Sequence, residues 1–221
     1  MIRVLLVDDH PVVRSGYRRL LETADDVLVV GEASDAETAY ALLTGVQPLV
    51  PDVIVTDLSM AGASGLDLIR HVLQRHPLAR ILVFSMHDGE MLVRRALAAG
   101  AMGFLTKASA PDDLVIAVRA LHEGRRYLGP DLPAALLSAS SVPNTSEARA
   151  LKSLSSREFE IFRLLAQGSS CAQCAQTLQL SPKTVANHQT VIKEKLGVDN
   201  SAALAHLALR HQVIGWPTSW A

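Results

Sequence analysis

The feature that most constrains this chain is a fivefold alternation across its first 123 residues. Apolar runs occur at "IRVLLV" (2–7), "VLVVGEA" (27–33), "DVIVTD" (52–57), "RILVFS" (80–85) and "MGFLT" (102–106). Helix-length stretches separate and follow them, at about 10–22, 35–45, 64–75, 88–99 and 111–123. The runs are continuously apolar, as in strands buried on both faces. Strands joined by crossover helices lie parallel in one sheet. The expected fold is therefore α/β, with a five-stranded, doubly wound parallel sheet of the flavodoxin-like kind over residues 1–123. Helix starts agree with this reading. Asp35 stands three residues before Thr38, and Pro111 is followed by Asp112 and Asp113, whose charges suit a helix N-terminus. Gly100 and Gly103 bracket the turn into the fifth strand.

The pattern breaks over 124–152. Pro130, Pro133, Pro143 and "SASSVPNTSEA" mark a linker, within which "DLPAALLSA" is a candidate short helix. Residues 153–214 then read as all-helical, with 215–221 as a tail. "SSREFEIFRLLAQG" opens on Ser155 with Glu158 three residues on, a capping box, and Gly168 ends it. "SPKTVANHQTVIKEKLG" has Ser181 as cap, Pro182 in the first turn and Gly197 as stop. A last helix covers about 200–211. A helix, a short turn and a capped second helix form a helix-turn-helix layout.

Charge divides the chain in the same place. From residue 151 onward seven bases face four acids, a balance of +3, whereas the first 150 residues hold 14 bases and 18 acids, a balance of −4. Two domains with different partners are expected. A hydrophobic content of 49% with 19% charged residues excludes a disordered chain. The apolar runs are too short to span a membrane, and "MIRVLLVDDH" lacks a signal-peptide layout, so a cytoplasmic protein is expected.

Two strands end on acids: the first on Asp8 and Asp9, the third on Asp57. In a sheet of order 2-1-3-4-5 these strands are neighbours, and their carboxyl ends meet at the topological switch point where ligands bind. Three converging carboxylates repel one another unless one protonates or a cation neutralises them. Oxygen donors with open positions suit Mg2+, which can also hold a phosphoryl group. Ser85 ends the fourth strand and Lys107 follows the fifth, on the same rim. A hydroxyl and a cation there can bind the oxygens of a phosphoryl group carried by Asp57, since an aspartate can act as nucleophile.

With "DD" at 8–9, "TDLSM" around Asp57, "FSMHD" around Ser85 and "GFLTK" ending on Lys107, residues 1–123 resemble the receiver domain of two-component response regulators. The resemblance implies that Asp57 is the phosphoacceptor, charged by a sensor histidine kinase. It implies that Asp8 and Asp9 are metal-site acids, joined by the backbone carbonyl of Ser59. Ser85 then occupies the hydroxyl switch position and Phe104 the aromatic one. Two positions depart from the usual pattern: Ala61 and Ala108 stand where proline is common.

"LSSREFEIFRLLAQG", "LQLSPKTVANH" and "IKEKLGV" make residues 153–214 similar to the LuxR and NarL-type helix-turn-helix output domain. The resemblance implies a transcriptional regulator that binds double-stranded DNA and pairs as a homodimer over palindromic half-sites. Candidate contacts are Lys183, Thr184, Asn187, Thr190 and Lys193. Basic or polar positions of the family are replaced by Cys171, Ala172, Ala186 and Ser201. Those losses keep open a rival reading, in which the helical tail binds protein rather than DNA. A second rival, an Mg2+-dependent phosphatase, needs a second acid two residues after the nucleophile; Ser59 stands there, and no enzyme is expected. His188 is expected to pack or make a local hydrogen bond. Cys171 and Cys174 lack the two further ligands that zinc requires, and read as two small, partly buried residues one helical turn apart.

Overall fold

The computed structural model describes residues 1–60, 64–133, 136 and 146–214. It divides in the main into one compact unit up to residue 138 and a second from residue 139. Ala61, most of the "DLPAALLSA" segment and the 215–221 tail lie outside the described residues.

The first unit contains β1 (Ile2–Val7), α1 (Pro11–Leu21), β2 (Val27–Ala33), α2 (Ala36–Thr44), β3 (Val53–Thr56) and α3 (Gly65–Arg75). It continues with β4 (Ile81–Ser85), α4 (Glu90–Ala99), β5 (Gly103–Thr106), α5 (Pro111–His122) and β6 (Tyr127–Leu128). The sheet is parallel throughout, in the order β2-β1-β3-β4-β5-β6. Side chains alternate across it. Val4, Leu6, Val53, Val55, Leu82, Phe84 and Leu105 meet Leu21 of α1 and Leu114, Val118 and Leu121 of α5 on one face. Their neighbours Leu5, Val7, Ile54, Ile81, Val83 and Phe104 are equally buried, which explains the continuous apolar runs.

The expected five strands become six. Tyr127 and Leu128 pair with Gly103 and Phe104, inside the stretch expected to be linker. Two half-buried residues between Arg126 and Pro130 are too short to show a strand period, and the existing edge of β5 recruits them. The linker expectation is also corrected at its far end. Residues Ser146–Ser153 form a helix, α6, which buries Ala148 and Leu151.

The second unit adds α7 (Ser156–Ala166), α8 (Cys171–Thr177), α9 (Pro182–Leu196) and α10 (Ser201–Arg210). Both arms of the Ser155–Glu158 capping box form. Ser181 caps α9 by accepting from the Thr184 N–H, and Gly197 ends the helix in the left-handed conformation at φ 65°. The turn between α8 and α9 places Gln179 at φ 51°, where most side chains are disfavoured. Phe159, Phe162, Val185, Ile192 and Leu204 form this unit's core. No helix among the described residues is long and apolar enough to cross a membrane.

Candidate functional site

The register of β1 against β3 pairs Val7 with Thr56, so the chain leaves both strands side by side at Asp8 and Asp57. Both carboxylates are nearly inaccessible, with side chains 3% exposed. The Lys107 ammonium, delivered by β5, lies 2.5 Å from Asp8 Oδ2 and 2.6 Å from Asp57 Oδ2. Burial works against the charged ammonium, but Asp57 and then Asp8 outweigh it and hold the Lys107 pKa above the ordinary lysine value. The other Asp57 oxygen, Oδ1, accepts from the backbone N–H groups of Leu58 (2.6 Å) and Ser59 (3.2 Å). Asp57 is thus oriented by three donors.

Asp9 is half-buried beside them, and a ligand atom from each of Asp8, Asp9 and His10 lies within 4.8 Å of the others. The donor set fits a hard divalent cation: one ammonium already spans Asp8 and Asp57, and the acids beside it offer oxygen ligands. Ser85 is fully buried at the end of β4, its hydroxyl accepting from the His87 N–H at 3.4 Å. Phe104 is fully buried in β5, paired in register with Val83.

Four neighbours of this site escaped sequence reasoning. The Arg14 guanidinium donates to the Asp8 backbone carbonyl at 2.5 Å and is held from behind by Glu32 at 3.1 Å. Together with Arg18, Arg14 keeps the Glu32 carboxyl below its usual range; burial opposes this. His10 Nδ1 lies 3.2 Å from Asp8 Oδ1 and 2.8 Å from Asp9 Oδ1. Tyr17 stacks edge-on against Phe84, and its phenol pKa is raised by burial, with smaller effects from Lys107, Asp8 and Asp57. At Gly65, a Cβ would stand 2.2 Å from the Asp57 carbonyl oxygen. The spacing of His10 and Arg14, one helical turn apart after the acid pair, was the legible signal. Gly65 had none beyond following the cap Ser64.

In the second unit, Val185, Ile192 and Leu196 turn one side of α9 inward. Lys183, Ala186, Asn187, Thr190, Val191 and Glu194 are exposed. The candidate contacts are not equally available. The Thr184 hydroxyl shares a hydrogen bond with Ser181, the Thr190 hydroxyl donates to the Ala186 carbonyl, and the Lys193 ammonium donates to the Asp199 carbonyl. Lys195 pairs with Glu158 at 2.6 Å. His188 is half-buried. Cys174 is fully buried, and burial, with Cys171 beside it, pushes its thiol pKa up. Cys171 is half-buried and donates to Gln189 Oε1 at 3.3 Å.

A parallel sheet with a buried Asp–Lys–Asp cluster at its switch point, followed by a capped helix-turn-helix, defines a class: a receiver joined to an output domain. Residues 4–119 match the response regulator receiver domain and residues 152–208 the bacterial regulatory proteins of the luxR family. The chain belongs to the response regulators with a LuxR-type DNA-binding domain, and is a transcriptional regulator. It is 36% identical to the response regulator UvrY of Escherichia coli over 211 residues, 96% of this chain and 95% of that one. It is 42% identical to the transcriptional activator protein ExaE of Pseudomonas putida over 207 residues, covering 93% and 95%. Among solved structures, RcsB of Salmonella enterica serovar Typhimurium, bound to the promoter rprA in the presence of the phosphomimetic BeF3-, is 32% identical with a TM-score of 0.61, covering 93% of this chain and 97% of that one.

Proposed function

We propose that a sensor histidine kinase phosphorylates Asp57 and that the charged protein regulates transcription as a cytoplasmic homodimer. The observation that carries this reading is the buried Asp57 carboxylate, held by two backbone N–H groups and by a lysine that also grips Asp8. One Asp57 oxygen attacks the phosphorus of a phosphohistidine. The P–N bond breaks, its electron pair stays on the imidazole, and an acyl phosphate remains on Asp57. Lys107 and the Ser85 hydroxyl then bind the phosphoryl oxygens. The carboxylates of Asp8, Asp9 and Asp57, with the Ser59 carbonyl, would hold Mg2+, which supplies the positive charge that offsets the incoming phosphoryl.

Binding a phosphoryl group redirects Lys107 away from its present carboxylate partners and draws on Ser85 at the end of β4. Phe104, in the adjacent strand, repacks in response, and the surface of α4 and β5 changes. That change controls pairing of two copies, whose two-fold axis matches palindromic half-sites. Ser59, lacking a carboxylate two residues after Asp57, argues against turnover as a phosphatase.

Asp57→Asn is expected to abolish acid-labile phosphorylation by a small-molecule phosphodonor, and chelation of Mg2+ to suppress it in the parent. Full labelling of the variant refutes the assignment. On the output side, α9 reads the major groove. The Asn187 amide pairs with adenine N6 and N7, Lys183 meets phosphate, and Thr184, Thr190 and Lys193 contribute as their present hydrogen bonds allow. Titration of phosphorylated protein against random-sequence duplex tests this. Absence of any binding favours a protein partner for the helical unit.

A further inference from the structure

We propose that this protein selects its DNA through thymine methyl groups, read by a methyl-lined, cation-poor face of α9 formed by Ala186, Thr190 and Val191. The inference rests on the DNA-binding reading above and names the feature of the duplex that this face recognises.

The buried residues of α9 fix which side looks outward, and on that side the two middle turns carry no charge. They present Ala186, Asn187, Thr190 and Val191, all exposed. The helix has three lysines, but Lys193 is engaged with the Asp199 carbonyl at 3.2 Å and Lys195 with Glu158 at 2.6 Å. That leaves Lys183 in the first turn as the exposed cation of this face, with Glu194 opposing it near the other end. Base selection by the two middle turns of this helix must come from neutral groups.

Those groups are mostly methyls. The Thr190 hydroxyl commits its proton to the Ala186 carbonyl at 3.2 Å, so the side chain is left with an acceptor oxygen and its methyl to offer a partner. Val191 is 37% exposed, the one large apolar side chain so exposed among the described residues from 146 onward. Exposure of that valine gains nothing in water, and the other large aliphatic side chains of the helix, Val185, Ile192 and Leu196, are buried. The major groove offers one apolar feature that distinguishes bases, the C5 methyl of thymine. Asn187, in the middle of the same face, carries the amide suited to adenine. The polar and apolar parts of the face therefore agree on the same base pair, A·T.

The test uses full-length phosphorylated protein and a duplex that it enriches from a random-sequence pool. Each thymine of that duplex is replaced in turn by deoxyuridine, which removes the methyl and leaves the hydrogen-bonding edge intact. Affinity is expected to fall about fourfold for each methyl that is read. Thr190→Ser, which keeps the hydroxyl, and Val191→Ala are expected to lose affinity for the thymine duplex and to lose none beyond the parent on the deoxyuridine duplex. Equal binding to both duplexes overturns the proposal, as does a loss in the variants that persists without the thymine methyls. An enriched site lacking thymine overturns it too, while leaving DNA binding intact. Failure to enrich any duplex removes the DNA-binding reading and this proposal together.

Discussion

Gly65→Ala is the most informative single perturbation of the receiver site. Gly65 opens α3 directly after its cap Ser64, a position where alanine is ordinarily harmless or favourable. Replacing a helical glycine by alanine gains about 0.5–1 kcal/mol. Here the new Cβ would stand 2.2 Å from the Asp57 carbonyl oxygen, 2.7 Å from the Leu58 Cα and 3.1 Å from the Asp57 carbonyl carbon. All three atoms are backbone and cannot rotate aside. The gap must open to at least 3.0 Å, a movement of about 0.8 Å at the residue proposed to be the nucleophile. Overpacking of this kind costs about 1–3 kcal/mol, which exceeds the helix gain. A displacement of about 1 Å at a reacting group can slow chemistry by about 100-fold. The variant should therefore melt a few degrees lower and label from a small-molecule phosphodonor at least tenfold more slowly. Gly16→Ala is the control, since an added Cβ there meets nothing within 4 Å on the exposed side of α1. It should gain about 0.5–1 kcal/mol and label at the parental rate. Parental labelling and melting by Gly65→Ala would refute the claim that the start of α3 positions Asp57.

The Glu158 carboxyl sits below its ordinary range even though burial raises it, because Lys195 and the Ser155 N–H favour its charged form. Its stabilising contribution is complete above the unfolded glutamate pKa of about 4.3 and is lost as pH falls through the lower folded value. Lys195→Met should cost the helical unit about 1 kcal/mol at neutral pH and flatten its loss of stability below about pH 4, followed by acid titration of helical circular dichroism; an unchanged acid profile contradicts this. Asn187→Ala should relax selection at one base pair by about 1–3 kcal/mol, whereas Lys183→Ala should weaken all duplexes alike and lower the salt slope by about one unit. Equal weakening of specific and scrambled duplexes by Asn187→Ala would remove its base-reading role. Cys171→Ser, which retains a donor for Gln189, combined with Cys174→Ala should keep the response to phosphorylation; loss of DNA binding on mild oxidation of the parent, absent in this variant, would assign the thiols a function.

The sequence by itself determined what depends on near neighbours. Apolar runs such as 52–57 and 80–85 became β3 and β4 to within a residue at either end, because a strand buried on both faces needs an unbroken apolar stretch. Asp35, Ser155 and Ser181 cap helices because each reaches an N–H three residues ahead. The gathering of Asp8, Asp57 and Lys107 was legible only through the topology that the alternation implied. The tertiary structure decided which charges are committed and to whom. Lys107 grips acids 99 and 50 residues away, Lys195 is taken by a carboxylate 37 residues away, and Lys193 turns to a backbone carbonyl. It also decided that β5 acquires a further two-residue strand and that a Cβ at Gly65 would crowd the Asp57 backbone. Caps and buried strands follow from local hydrogen bonding and side-chain period. An ion pair or a steric limit depends on where the sheet register and helix packing bring distant chain segments, and that is a property of the whole fold.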